Sequence, residues 1–148
     1  MNDNSINLRP EDVPKAFEVC FNDQCPKRHD CVRRLAGDVV SKVRVCGPCV
    51  YPTAVADGQC SMFRQRRIIR AAYGFRTLFE KVRHEDYSQL RSEVIFHFRS
   101  ESDFWRYNRG HYKLSPEQQE EILDIFRSHG YDTSDMHFQH YVEQVDLL

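Results

Sequence analysis

After Cys60 the apolar residues fall at helical intervals. Ile68, Ala72, Phe75, Phe79 and Val82 recur every three or four positions, a spacing that lines one stripe of a helix, with Gly74 placed to bend it. Tyr87, Leu90, Val94 and Phe98 mark one face of a second helix between polar Arg91, Glu93 and Arg99. The sharpest start signal is LSPEQQEEILDIF: Ser115 at the cap, Pro116 at the first helical position and Gln118 three residues after the cap form a capping box. Glu117, Glu120 and Glu121 suit the positive end of that helix, Ile122, Leu123 and Phe126 supply its buried side, and Gly130 supplies the stop. A last helix is predicted through Phe138, Tyr141, Val142 and Val145.

The first third reads differently. Pro10, Pro14, Pro26, Gly37, Gly47, Pro48, Pro52 and Gly58 punctuate it, so long helices are not expected before about residue 62. A short helix is predicted through Val32, Leu35 and Ala36, and a strand through Val39, Val43 and Val45. The fold expected is therefore mainly α, with a small α+β fold as the alternative: an irregular Cys-rich segment, 1–61, packed on a helical body, 62–148, of about four helices. At 148 residues this is one domain, 1–148. There is no internal repeat and no low-complexity segment.

Composition fits a soluble globular chain, with 41% hydrophobic and 29% charged residues. No apolar run is long enough to cross a bilayer, and MNDNSINLRPEDVPKAF lacks the order of a secretory signal, so a cytoplasmic location without membrane contact is expected. The formal net charge of -1 hides a polarity. Cations and anions number 8 and 8 over residues 1–61, 12 and 6 over 62–113, and 1 and 8 over 114–148, giving nets of 0, +6 and -7. The basic middle and the acidic tail either attract each other or face different partners.

All six cysteines, at 20, 25, 31, 46, 49 and 60, fall in the first 60 residues. In a reducing compartment such a cluster binds metal or does thiol chemistry more often than it forms structural disulfides. CFNDQCPKRHDC places Cys20, Cys25 and Cys31 in one loop; three thiolates that close repel unless a cation holds them, and a tetrahedral site takes a fourth ligand, for which Cys60 is the natural choice. The competing reading is of ordinary buried thiols. Zinc is the expected metal, with an iron-sulfur cluster as the alternative. CCCH zinc fingers share the first two intervals, but Leu35 stands where those fingers place a histidine.

Cys46 and Cys49 form CGPC, the tetrapeptide of thioredoxins. There a helix must follow, and its N-terminus activates the first thiol. Here Pro52 lacks a donor and pushes Tyr51 away from helical geometry, and strands and helices do not alternate downstream. The pair is better read as a second candidate for the metal site, or as a Gly-Pro turn.

RQRRIIR and FWRYNRGHYK interleave cations with rings. Arg64, Arg66, Arg67, Arg70, Trp105, Arg106, Tyr107 and Arg109 are thus candidates for single-stranded nucleic acid, where guanidiniums pair with phosphates and rings stack on bases. The alternative is core rings beside a solvated basic face paired to the acidic tail. His137, His140 and Glu143 on the last predicted helix are read as solvent-facing, not as metal ligands. No Gly-rich phosphate loop, nucleophile elbow or H-E-x-x-H occurs.

CFNDQCPKRHDCVRRLAG, GQCSMF, YGFRTLF and FWRYNRGHYKLSPEQQEEILDIFRSHG together resemble a family of small cysteine-containing Bacteroidales proteins, the domain of unknown function 6078. The resemblance spans most of the chain. It implies recurrent cysteines at Cys20, Cys25, Cys31 and Cys60, with Cys46 and Cys49 as extras, and it brings no activity. The leading expectation is a non-enzymatic interaction or regulatory module with a structural metal and an unknown protein partner. A nucleic-acid binder is second; a thiol-redox or iron-sulfur enzyme is third.

Overall fold

The computed structural model describes residues 7–148. Among them the chain forms four α-helices and two two-stranded sheets, so the fold is α+β and not the mainly helical bundle the spacing predicted. The chain divides into two compact units. One runs through Ile68 and takes in Gln144–Leu147; the other comprises Ile69–Glu143.

In the first unit, helix α1 (Val32–Val40) forms where the sequence placed it. Val32, Ala36 and Val40, one turn apart, are buried against Val13, Phe17, Val19, Val145 and Leu147. Each buried valine, leucine or phenylalanine among them contributes about 1.5–3 kcal/mol by leaving water. Val39 belongs to this helix, while Val43 and Val45 are exposed in the turn after it, so the predicted strand does not exist. The reason is the register: Val40 continues the buried stripe, and the helix runs through Val39 to reach it. Strands β1 (Val55–Ala56) and β2 (Gln59–Cys60) pair antiparallel, Val55 opposite Cys60. Asp57 and Gly58 join them with φ of 50° and 73°, the paired positive angles of a tight hairpin turn.

The predicted helix over 68–82 is replaced by strand β3 (Ile68–Tyr73), of which all but Ile68 belongs to the second unit, and a single 3-10 turn, Arg76–Phe79. The predicted last helix is likewise strand β4 (His140–Val145), which pairs with β3. Backbone groups decide both cases. Ala72 exchanges two hydrogen bonds with Leu114, at 3.1 and 2.8 Å, and partners so distant in the chain leave no trace in local spacing. Gly74, at φ 82°, ends β3; a Cβ there would stand 2.7 Å from Gln139 Cβ.

Helix α2 (His84–His97) and helix α4 (Pro116–Ser128) form as expected. Ser115 Oγ accepts the Gln118 N–H at 3.3 Å, and Gln118 Oε1 accepts the Ser115 N–H at 2.9 Å. Helix α3 (Glu101–Asn108), which the spacing did not reveal, is capped by Ser100 Oγ accepting the Asp103 N–H. The core between them is aromatic: Phe75 stacks on Phe104 at 5.0 Å and meets Phe138 edge-on, above Leu90, Val94, Ile122 and Phe126.

Polar pairs join α2 to α4 and to its C-cap, His129. Glu93 faces His129 Nε2 at 2.9 Å, and His97 faces Glu121 at 3.3 Å. The His129 hydrogen bond holds the Glu93 carboxyl below its ordinary 4.5 against the opposing effect of desolvation. A carboxylate depressed on folding stabilises above its unfolded value and stops doing so as the pH falls through the folded one. Glu93→Gln is therefore expected to lower the melting temperature at neutral pH, with the gap to wild type closing as the pH drops below 4.5. Melting curves of both proteins across that range check this; a gap independent of pH would contradict it. No helix among the described residues is long and apolar enough to cross a membrane.

Candidate functional site

The cysteine loop lies against α1. The Cys20 N–H donates to Arg33 O at 2.9 Å, and the Asn22 N–H donates to Cys20 Sγ at 3.5 Å. Asn22 Oδ1 in turn accepts the Gln24 N–H at 3.0 Å, and the Cys25 N–H reaches Asn22 O at 3.4 Å, so side chain and backbone together turn the loop. Cys31, buried, is the N-cap of α1 and bridges to Gln65. Cys60 is delivered by the β1–β2 hairpin.

These elements enclose one cavity of about 620 Å³ whose walls include Cys20, Cys25, Cys31 and Cys60. Phe21, Tyr51 and Val55 stand exposed on it, and Lys27 sits 4.6 Å over the Phe63 ring. Among the described residues, no three or more His, Cys, Asp or Glu side chains meet as a group that could hold a metal ion. The four sulfurs share a cavity without converging on a point. Two donors nevertheless suit an anionic, sulfur-rich group. The Asn22 N–H already points at sulfur. Arg34 lines the cavity, and its Nε is buried without a hydrogen-bond partner among the described residues, an orphan of the kind that calls for an absent acceptor. The rest of that guanidinium is fixed by Asp23 and Asp38.

Neither Cys46 nor Cys49 lines this cavity. Cys49 sits in a parallel bridge with Val19, where the Val50 N–H donates to Val19 O at 2.8 Å. Cys46 is exposed beside a smaller cavity of about 160 Å³. Beyond them Tyr51 is extended and only a three-residue 3-10 turn, Pro52–Ala54, follows. CGPC therefore lacks the helix that activates a thioredoxin thiol. The D-G dipeptide at 57–58 is a local hairpin signal legible in the sequence, and it carries Cys60 to the site.

The family of unknown function DUF6078 matches residues 1–147. The chain belongs to the DUF6078 family. No curated protein and no solved structure matches it.

In this DUF6078 member the basic candidates are divided between the two units. Arg64 Nη2 and Arg67 Nε bind the buried carboxylate of Asp146 at 3.1 and 2.5 Å within the first unit. Arg66 is half-buried, its N–H donating to Asp30 O. In the second unit Arg70 covers the Tyr141 ring at 4.1 Å, Arg106 pairs with Asp103 at 2.9 Å, and Tyr107 packs on Phe98. Trp105 is 39% exposed, and Arg109 lies 5.8 Å from its ring. His140, at the start of β4, stacks on Tyr73 at 4.7 Å, and the His137 carbonyl, ahead of β4, accepts from Thr77 Oγ1, where a helical face was expected.

Proposed function

We propose that this chain is a non-enzymatic interaction module of the reducing cytoplasm, whose N-terminal unit is clamped by a structural zinc bound among Cys20, Cys25, Cys31 and Cys60. One observation carries the reading: these four of the six cysteines, and neither of the other two, line a single cavity. The Asn22 and Arg34 N–H groups beside it suit the negative charge of a thiolate centre. When bound, the metal supplies a closed tetrahedral link, which would tie the 20–31 loop to the hairpin at Cys60. The exposed Phe21, Tyr51 and Val55 on the same cavity then form the surface offered to a protein partner.

Elemental analysis of anaerobically purified protein tests the clamp. About one zinc per chain is expected, and Cys25→Ser should release it and expose the N-terminal amides to hydrogen exchange, while Cys46→Ser keeps it. Iron with a brown colour would favour the cluster instead. Protein free of both metals, or Cys25→Ser with metal and exchange unchanged, would overturn the assignment.

A further inference from the structure

The second unit holds a separate cavity of about 340 Å³, whose lining combines rings with cations. Its size is near the lower end of those that take small molecules. Phe79, Tyr87, Phe104 and Trp105 provide aromatic surface; Phe104 is buried, while Tyr87 and Trp105 are 42% and 39% exposed. Arg76 and Arg91 line the same space, and neither forms a salt bridge with a carboxylate among the described residues. This sets them apart from Arg106, Arg127 and Arg83, which neighbouring carboxylates neutralise. Arg91 lies 5.7 Å from the Phe104 ring and 5.9 Å from the Trp105 ring, and Arg109 lies 5.8 Å from that same Trp105 ring. Such separations are at the outer limit of cation–π attraction, near 6 Å, so an incoming ring can displace a guanidinium without losing a tight contact.

We infer that this cavity binds a nucleotide, its base against the Tyr87 and Trp105 rings and its phosphate on Arg91 and Arg76. Stacking supplies affinity for any base, because every base presents a π face, and guanidiniums pair with phosphate oxygens two at a time. Two further groups can read the edge of the base. Asn108 Oδ1 accepts the Phe75 N–H at 3.0 Å, which fixes the amide and leaves its NH2 to donate. Glu80, also on the wall, offers only acceptors while ionised. The inference concerns the second unit and does not depend on the zinc clamp of the first. Of the eight candidates in the basic aromatic runs it keeps only Trp105 and Arg109 near the site; Arg76, Arg91 and Tyr87 come from elsewhere in the chain.

Trp105 is the one tryptophan of the chain, so its fluorescence reports stacking directly. Full-length protein is titrated at low salt with AMP, with single-stranded oligo(A) of eight nucleotides, and with ribose 5-phosphate. Saturable quenching by both AMP and the oligonucleotide, but not by ribose 5-phosphate, is the expected result. An oligonucleotide binding more tightly than its count of bases explains identifies single strands as the source of the ligand; equal affinity per base identifies the free nucleotide. Arg91→Gln, with folding verified by circular dichroism, should weaken binding by roughly tenfold or more through the lost charge-assisted hydrogen bonds. Arg76→Gln serves the same purpose where Arg91→Gln does not fold. No saturable quenching at low salt, equal quenching by ribose 5-phosphate, or an affinity unchanged in the folded arginine variants would each overturn the assignment.

Discussion

Gly37→Ala is expected to destabilise the N-terminal unit by about 2–3 kcal/mol, although alanine is the better helix former by about 1 kcal/mol. A Cβ at Gly37, in the middle of α1, would lie 2.1 Å from the Cys20 carbonyl oxygen and 3.1 Å from its carbon. The obstacle is backbone, and it cannot swing aside as a side chain would. It is also held in place, since the Cys20 N–H is bonded to Arg33 O on the same helix. The clash thus exceeds the gain in propensity. For a unit of this size the melting temperature should fall by roughly 10–20 °C. Gly47→Ala, in the CGPC turn, is the control: an added Cβ there meets nothing within 4 Å, and the melting temperature should hardly move. If the two alanine variants melt alike, the close approach of α1 to the cysteine loop is not a constraint on folding. The prediction bears on the site as well, because the same approach places Cys20 on the wall of the cavity.

The second large effect concerns Asp146. Its side chain is 3% exposed, and it binds Arg64 and Arg67, whose side chains are 30% and 54% exposed. Replacing both arginines by methionine strips a buried carboxylate of these two cations, which should cost about 3–5 kcal/mol. Adding Asp146→Leu to that pair removes the buried charge as well. Exchanging a buried ion cluster for apolar side chains of similar volume is commonly close to neutral, so the triple variant should recover most of the loss. Urea unfolding of the double and triple variants measures both steps. A triple variant as unstable as the double would mean that the arginine stems, and not their charge, hold the first unit together.

These two cases show what was legible in the residues. The opposite charges of the middle and the tail were visible as nets of +6 and -7, but the choice of Asp146 as partner was not, because a buried ion cluster is assembled by folding. Cysteine spacing singled out Cys20, Cys25 and Cys31. The more conspicuous CGPC proved to lie apart from their cavity, since the Val19–Cys49 bridge holds it elsewhere. The rings of FWRYNRGHYK divide for a similar reason: α3 turns Phe104 inward and leaves Trp105 exposed.

By itself the sequence determined the elements whose causes lie within a turn or two of chain. The capping box at Ser115 and Gln118, the stripe of α1, and the apolar face of α2 need only their own residues. Tertiary structure decided the rest. Ile68–Tyr73 and His140–Val145 carry apolar spacings that a helix would also accept, and they are strands because β3 and β4 pair and because Ala72 exchanges bonds with Leu114. A backbone hydrogen bond between residues distant in sequence follows no local period. The presence of four cysteines in the lining of one cavity rests on contacts of that same long-range kind.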